Sequence, residues 1–130
     1  MRTGLSVLVV DADADYGRAL AVVLRRAGGR VRVVRTRSQA LQAARDTRFD
    51  LAVVDLFLGG GGVELARELA RHVPRLMLSL AARLERGEIL EAALGFPVHR
   101  KASLARLLRP SGAKSNGAGR KPRRTARIDA

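Results

Sequence analysis

One carboxylate follows directly after a short, fully aliphatic stretch of the chain. Residues 51–54 (LAVV) are aliphatic, Asp55 ends this run, and glycines occupy positions 59–62. A buried strand that ends in a carboxylate places it at the carboxyl edge of a sheet, where α/β proteins bind ligands. Glycines after it allow positive φ angles and a close approach of the backbone to a ligand. An aspartate that caps a strand-to-helix turn fits the same pattern, so this stretch alone leaves both interpretations open.

Four more polar residues occupy comparable positions at or after the ends of apolar runs. Asp11 and Asp13 follow the first run, Ser79 lies in the fourth, and Lys101 follows the fifth. In a parallel sheet these ends lie on one edge, so the side chains can converge with Asp55. Two or three carboxylates at one edge repel one another, which favours bound Mg²⁺, while the lysine and the hydroxyl add donors for an anion. The set suits a phosphoryl group.

Each of these residues also has a plainer interpretation. Asp13 fits the N-cap of a first helix as well as it fits a metal ligand. Lys101 could be a surface lysine, and Ser79 could be a strand-end hydroxyl. His72 and His99 are expected at the surface, because neither has a paired acid or a second ligand nearby in the sequence.

The positioning elements follow from hydrophobic periodicity. Apolar runs predict strands at 5–10, 30–35, 51–54, 75–80 and 96–99. Amphipathic spacing predicts helices at 14–27, 38–47, 63–72, 86–94 and 103–108. Strands that alternate with helices indicate an α/β fold, a doubly wound five-stranded parallel sheet flanked by five helices. The order of the strands does not follow from the periodicity.

Several element ends have their own signals. Ser38 and Ser103 are predicted to cap the second and the last helix, and Gly28 with Gly29 to end the first. The alternation in residues 30–35 (RVRVVR) is typical of an edge strand with one wet face.

Composition excludes several classes of protein. The chain has 130 residues and is 47% hydrophobic, which is enough for one folded domain. It has no cysteine, so disulfides and thiolate zinc sites are excluded. Neither a signal peptide nor a membrane span is predicted, so we expect a soluble, cytoplasmic protein with no membrane partner.

The net charge of +13 suggests a polyanionic partner, although a GC-rich coding sequence would also enrich arginine. The position of the charge therefore matters more than its total. Residues 110–130 have almost no apolar side chains and are predicted to be a disordered basic tail. Its candidate contacts to nucleic acid are Arg120, Lys121, Arg123 and Arg124, and these would bind phosphates without choosing a sequence. A tail that only improves solubility is the alternative.

The stretch from 5 to 108 resembles the receiver domain of bacterial two-component response regulators. The resemblance rests on residues 7–11 (VLVVD), 50–56 (DLAVVDL) and 77–79 (MLS) and on Lys101, taken in this order. It implies a receiver domain over residues 1–109 with the flavodoxin-like strand order 2-1-3-4-5. It also implies a signalling module rather than an enzyme, within a phosphorelay.

The resemblance implies a role for each phosphate-site residue. Asp55 would be the phosphoacceptor, taking a phosphoryl group from a histidine kinase or a phosphotransfer protein. Ser79 would bond a phosphate oxygen, and Lys101 would pair with the phosphate as a point charge. The phosphorylated form would then signal through a downstream protein.

The resemblance also implies a cofactor, Mg²⁺, which would be held by Asp11, Asp55 and the backbone carbonyl of Phe57. Receivers usually carry a second acid directly after the first, but here Ala12 occupies that position. Asp13 is a possible substitute ligand. The expected Mg²⁺ affinity is therefore weak.

Two further departures concern the switch. The aromatic switch residue of the family is Val98 here, and the proline after the lysine is Ala102. With Ala12, they favour a second hypothesis, a pseudo-receiver that acts as an interaction module without phosphorylation. Asp55, Ser79 and Lys101 favour the phosphorylated receiver.

Overall fold

The computed structural model describes residues 4–59, 61–80 and 95–108. The strands are β1 (Ser6–Val10), β2 (Arg30–Val34), β3 (Leu51–Asp55), β4 (Arg75–Leu80) and β5 (Val98–Arg100). The helices are α1 (Ala14–Arg26), α2 (Arg37–Asp46), α3 (Gly62–Leu69) and α4 (Lys101–Leu107). The helix predicted at 86–94 and the predicted tail at 110–130 lie outside the described residues.

The strands form one five-stranded parallel sheet in the order β2-β1-β3-β4-β5. The predicted doubly wound parallel sheet is therefore confirmed, together with the strand order that the resemblance implied. In register, Val10 pairs with Val54, and Asp55 pairs with Ser79. The carboxyl ends of the strands that carry the candidate residues thus lie side by side.

The sheet is buried on both faces, which is why β1 and β3 read as unbroken aliphatic runs. One face, with Leu8 and Val54 among its residues, packs against α2 and α3. The other, with Val9 and Val53 among its residues, packs against α1 and α4. All five residues of β1 are buried, so the strand whose end carries Asp11 is held on both sides.

The second strand is an edge strand, as its alternation predicted. Arg30 and Arg32 are exposed, Val31 and Val33 are half-buried, and β2 pairs with β1 on one side only. The first helix also ends as predicted, at the C-cap Ala27, and Gly28 follows with φ +94°.

Both predicted serine caps are wrong. The N-cap of α2 is Thr36, whose side chain accepts a hydrogen bond from the backbone N–H of Gln39, while Ser38 lies inside the helix. Ser103 lies inside the first turn of α4, because β5 runs directly into this helix and Lys101 is its first residue. An N-cap also needs extended backbone before the helix, which Thr36 has.

None of the helices in the described part of the chain has both the length and the apolar character that crossing a membrane requires.

Candidate functional site

Four predicted site residues meet at the carboxyl edge of the sheet. Asp11 follows β1, Asp55 ends β3, Ser79 lies near the end of β4, and Lys101 begins α4 directly after β5. The Nζ atom of Lys101 lies 2.7 Å from Oδ2 of Asp11 and 3.6 Å from Oδ2 of Asp55. One ammonium group therefore contacts both carboxylates.

The three charged groups are largely withdrawn from water. The side chain of Asp11 is 1% exposed, that of Asp55 15% and that of Lys101 14%. Burial by itself would lower the pKa of Lys101, but the adjacent carboxylate of Asp11 outweighs it, with help from Asp55 and Asp13, so the pKa is raised. Lys101 is thus an ammonium ion at neutral pH. Two carboxylates share this one cation, so one negative charge at the edge is left uncompensated.

The loop after β3 orients Asp55. Its Oδ1 atom accepts a hydrogen bond from the backbone N–H of Phe57 at 3.1 Å, and its backbone carbonyl accepts one from the N–H of Leu58 at 3.1 Å. The other carboxylate oxygen, Oδ2, is the one that lies towards Lys101. The loop therefore fixes one oxygen of Asp55 and leaves the second beside the cation. The Phe57 side chain, at 70% exposure, extends into solvent.

The glycines that follow are needed for two different reasons. Gly61 has φ +101°, which favours glycine. At Gly62 a Cβ atom would lie 2.0 Å from the backbone carbonyl oxygen of Asp55 and 2.7 Å from that of Leu56. At Gly62 the close approach is to the chain's own backbone, and the predicted approach of these glycines to a ligand stays a prediction. It places the start of α3 against the end of β3.

Ser79 offers a hydroxyl beside Asp55. The residue is 1% exposed, and its Oγ atom has no hydrogen-bond partner among the described residues. Its backbone carbonyl accepts a hydrogen bond from the N–H of Leu56 at 2.8 Å, which ties β4 to the loop after Asp55. A buried hydroxyl without a hydrogen-bond partner costs free energy, so a group that accepts a hydrogen bond from it is stabilising there.

Asp13 takes the helix-cap position. Its Oδ1 atom accepts hydrogen bonds from the backbone N–H groups of Asp15 and Tyr16, each at 3.1 Å, and the side chain is exposed. Its own backbone N–H donates to Oδ1 of Asp11 at 2.9 Å. Residues 4–59, 61–80 and 95–108 contain no group of three or more His, Cys, Asp or Glu side chains close enough to hold a metal ion. The role of Asp13 as a metal ligand stays a prediction.

The donors that remain suit a hard cation. They are the carboxylates of Asp11 and Asp55, with their uncompensated charge. The role of the Phe57 backbone carbonyl as a further ligand stays a prediction. Oxygen ligands of this kind are those that Mg²⁺ prefers, usually with several waters. The donor set therefore fits Mg²⁺ chemically.

Sequence reasoning missed Tyr16. The Nζ atom of Lys101 lies 4.9 Å from the centroid of its ring, a cation–π contact. The hydroxyl is buried and has no hydrogen-bond partner among the described residues. Its pKa is raised, mainly by burial and further by the charges of Asp11 and Asp55. The available signal was an aromatic residue in the first turn of α1, shortly after Asp11.

The two histidines differ in their relation to this site. His72 is exposed, as predicted, whereas His99 is half-buried in β5, where it pairs in register with Ser79. The tail residues Arg120, Lys121, Arg123 and Arg124 lie outside the described residues.

Known proteins share this arrangement of strands and helices. The chain is 36% identical over 87 residues to a response regulator receiver protein of Anaeromyxobacter sp. strain Fw109-5, a match that covers 66% of this chain and 37% of that protein. The chain thus spans little more than a third of the length of this relative. No protein-family model matches the chain.

Solved structures agree. A CheY-like response regulator receiver domain protein from Methanospirillum hungatei JF-1 has a TM-score of 0.68 at 20% identity, over 82% of this chain and 88% of that chain. A response regulator protein from Burkholderia pseudomallei, solved with a phosphorylated aspartic acid, a calcium ion and citrate, has a TM-score of 0.63 at 26% identity. That match covers 73% of this chain and 58% of the other.

Proposed function

The chain carries a response regulator receiver domain, and on this premise we propose that Asp55 accepts a phosphoryl group from a histidine kinase or a phosphotransfer protein. The phosphorylated domain, residues 1–109, then signals through a downstream partner protein as a module of a two-component system rather than as an enzyme. The observation that carries the proposal is the Lys101 ammonium group, 3.6 Å from Oδ2 of Asp55 and 2.7 Å from Oδ2 of Asp11.

The transfer is a substitution at phosphorus. A carboxylate oxygen of Asp55 attacks the phosphorus of a phosphohistidine, the P–N bond breaks, and the leaving imidazole recovers a proton. The product is an acyl phosphate on Asp55. Lys101 is already an ammonium ion and lies beside Oδ2, so it compensates the negative charge that the phosphoryl oxygens bring.

Ser79 supplies the second phosphate contact in this proposal. Its buried Oγ has no partner among the described residues, and Ser79 pairs in register with Asp55. A phosphoryl oxygen on Asp55 would accept a hydrogen bond from the Ser79 hydroxyl and so remove the cost of the unmade hydrogen bond.

Mg²⁺ is the proposed cofactor, held by Asp11, Asp55 and the backbone carbonyl of Phe57. When bound, such a cation neutralises charge on the phosphoryl oxygens during transfer. Asp11 is held for this role by the backbone N–H of Asp13, which fixes Oδ1, while Oδ2 contacts Lys101. The chain's residues thus present oxygen ligands from two strand ends.

The direct test is phosphorylation by a small-molecule donor. The purified chain is incubated with acetyl phosphate and Mg²⁺, quenched in acid and measured by intact-protein mass spectrometry. We expect one phosphoryl adduct that survives acid, is lost in base and is missing in Asp55→Asn. Asp46→Asn removes an exposed carboxylate at the end of α2 and is the matched control, which should react as the wild type does.

An adduct that persists in Asp55→Asn would place the acceptor elsewhere. A wild-type chain that forms no adduct with acetyl phosphate or with any cognate kinase would favour a second candidate, the pseudo-receiver. Two observations favour that candidate. Asp13 is engaged as the N-cap of α1. Ala12, where the family's acid is expected, is exposed and has no carboxylate with which to bind a metal. In that case the domain acts as a constitutive interaction module.

Magnesium titration distinguishes the role of the missing acid. Ala12→Asp restores a carboxylate beside Asp11, so we expect tighter Mg²⁺ binding than in the wild type, because water fills the missing ligand position at a cost in affinity. Isothermal titration of both proteins measures this. Equal affinities would mean that Asp13 already supplies the ligand, or that the acidic pocket does not form.

The basic tail remains a separate proposal. We propose that Arg120, Lys121, Arg123 and Arg124 in the basic stretch 110–130 contact nucleic-acid phosphates without sequence preference. Comparing duplex binding by the full chain and by a chain that ends at Pro110 tests it. Equal duplex affinity of the two chains would show that the tail does not contribute to nucleic-acid binding.

A further inference from the structure

The surplus positive charge of the folded part is concentrated in one segment. Residues 25–48 contain eight arginines and a single acid, Asp46. The remaining described residues contain seven basic and seven acidic residues, so their charges cancel. A coding bias towards arginine would spread the surplus over the whole domain, and it does not explain this concentration.

The fold gathers this segment on one side. Residues 25–48 comprise the last turn of α1, the edge strand β2 and the helix α2. Seven of the eight arginines are exposed, and only the half-buried Arg37 forms an ion pair, with Glu68, among the described residues. We call the seven exposed arginines the arginine edge. Because no acid of the described chain neutralises them, their charge is available to an external anion.

The centre of this surface is a groove of about 600 Å³ between β2 and α2. Its lining combines the charged Arg32 and Arg35 and the polar Ser38, Gln39 and Gln42 with the apolar residues Val33, Val34 and Ala43. The guanidinium of Arg32 donates a hydrogen bond to the Thr47 hydroxyl at 3.4 Å. Guanidinium, amide and hydroxyl donors are the groups that contact phosphate oxygens.

Two side chains block an alternative use of this edge, the addition of a peptide strand. Arg25 donates a hydrogen bond to the backbone carbonyl of Val31 at 2.8 Å, and the backbone N–H of Arg35 donates to Oε1 of Gln39 at 2.9 Å. An added strand needs backbone groups that are free. The edge therefore offers its side chains to a partner rather than its backbone.

We propose that the arginine edge binds the phosphate backbone of duplex DNA without reading its sequence. Protein–protein interfaces carry an apolar, charge-depleted centre, whereas interfaces with DNA are polar and strongly positive. The large apolar side chains exposed in the described residues are Val22 and Phe57, and both lie outside residues 25–48. The segment also contains no aromatic residue on which unpaired bases could stack, which disfavours single strands.

The test uses the full chain and a fluorescent duplex in a salt series. The triple variant Arg30→Gln, Arg32→Gln and Arg35→Gln removes three charges from β2 and from the groove. Each phosphate contact contributes about −0.9 to the slope of log K against log salt, so we expect the slope to become shallower by about 3. Binding at low salt should weaken by roughly tenfold or more.

The matched control is Arg67→Gln, Arg71→Gln and Arg75→Gln. These three arginines are also exposed and lie outside the arginine edge, so the change in net charge is identical. The control should keep the wild-type slope, and both triple variants retain the tail and the wild-type circular dichroism spectrum. Equal losses in the two variants would overturn the proposal, because the effect would then follow net charge alone.

Two competing ligands complete the test. A second duplex of unrelated sequence should bind with the same affinity, since phosphate contacts carry no sequence information. A polyglutamate peptide or a single strand of equal length should bind more weakly than the duplex. Binding of either as tightly as the duplex would overturn the assignment to duplex DNA.

Discussion

Two charged regions of this domain are built in opposite ways. At the carboxyl edge of the sheet, Asp11, Asp55 and Lys101 are largely buried, and one lysine contacts both carboxylates. At the arginine edge, seven arginines are exposed, with no ion pair to the described part of the chain. The charges of the first region pair with one another, and the charges of the second are exposed to solvent.

The difference follows from the cost of burial. A charge that is withdrawn from water is stable only when it is paired and hydrogen-bonded, so the geometry of the carboxyl edge is tightly determined. An exposed guanidinium needs no protein partner, so it is retained at little cost and can exchange water for an external anion. Substitutions should therefore affect folding at the first region and binding at the second.

The largest expected effect on stability is that of Lys101→Met. It removes the cation beside Asp11, whose side chain is 1% exposed, and leaves an unpaired buried carboxylate. Breaking a buried pair in this way costs about 3–5 kcal/mol, and the 14% exposure of Lys101 favours the lower end of that range. At the arginine edge, Arg32→Met should change the free energy of unfolding by less than about 0.5 kcal/mol. Urea unfolding at neutral pH measures both.

A double variant separates charge from packing at this site. In Asp11→Asn with Lys101→Met the carboxylate that is 1% exposed is gone, and Asp55, at 15% exposure, is the one acid of the site left without its cation. Part of the lost stability should therefore return. If the double variant is as unstable as Lys101→Met alone, the unpaired Asp11 carboxylate is not the cause of the loss. The loss then comes from the missing lysine stem and its contact with Tyr16, and the cost of buried charge does not separate the two regions.

Gly62→Ala should have the next largest effect. Its Cβ would lie 2.0 Å from the carbonyl oxygen of Asp55, so the start of α3 must move away from the site. Overpacking of this kind costs about 1–3 kcal/mol, and we expect the upper end because the contact is with backbone. Gly59→Ala is the matched control in the same loop, since nothing lies within 4 Å of its Cβ position. Similar losses in thermal unfolding for the two variants would contradict this account.

The sheet could be predicted from the sequence because its cause is local. The aliphatic runs that became β1 and β3 are buried on both faces, and such runs stand out in any window of residues. The strand order is a property of how the elements pack, and it came from the resemblance instead. The convergence of Asp11, Asp55 and Lys101 was predictable because parallel strands end on one edge.

What could not be predicted depends on contacts across the fold. Tyr16 has no partner nearby in the sequence, and its place under the Lys101 ammonium needs α1 and α4 to lie on the same face of the sheet. The arginine edge is a different case. Its surplus charge over residues 25–48 can be counted in the sequence, but the exposure of seven arginines and their lack of ion pairs to the described residues needed the fold.

The raised pKa values of Tyr16 and Lys101 predict how the stability of the fold depends on alkaline pH. The folded pKa of Tyr16 is raised, so the folded state holds a proton that the unfolded state releases near pH 10, and stability should fall as the pH rises past about 10. The raised pKa of Lys101 acts in the same direction: its stabilisation is complete below the unfolded pKa of about 10.5 and is lost above it.

The absorbance of the phenolate measures this directly, since Tyr16 is the single tyrosine and the chain has no tryptophan. We expect a midpoint above 10 in the folded protein and a return to about 10 in urea. Asp55→Asn should lower the folded midpoint, because the charge of Asp55 is one of its causes, whereas Asp46→Asn should not. An unshifted folded midpoint would mean that the hydroxyl is accessible to water.

The smallest expected effect concerns the cap of α2, the helix that lines the groove of the arginine edge. The Thr36 hydroxyl accepts from the N–H of Gln39 at 3.2 Å, as in a capping box, while the Gln39 side chain accepts from the N–H of Arg35, one residue before the N-cap, at 2.9 Å. The spacing Thr-x-x-Gln is the sequence signature of a capping box, a stronger N-cap signal than the lone Ser38. Thr36→Ala should therefore cost about 1 kcal/mol, while Ser38→Ala, inside the first turn, should stay within about 0.5 kcal/mol.

Because the Gln39 side chain also accepts from the Arg35 N–H beside β2, Thr36→Ala should speed amide exchange at Arg35, and Ser38→Ala should leave it unchanged. If exchange at Arg35 is equal in the two variants, the N-cap of α2 does not affect the end of β2. The groove would then not depend on how α2 begins.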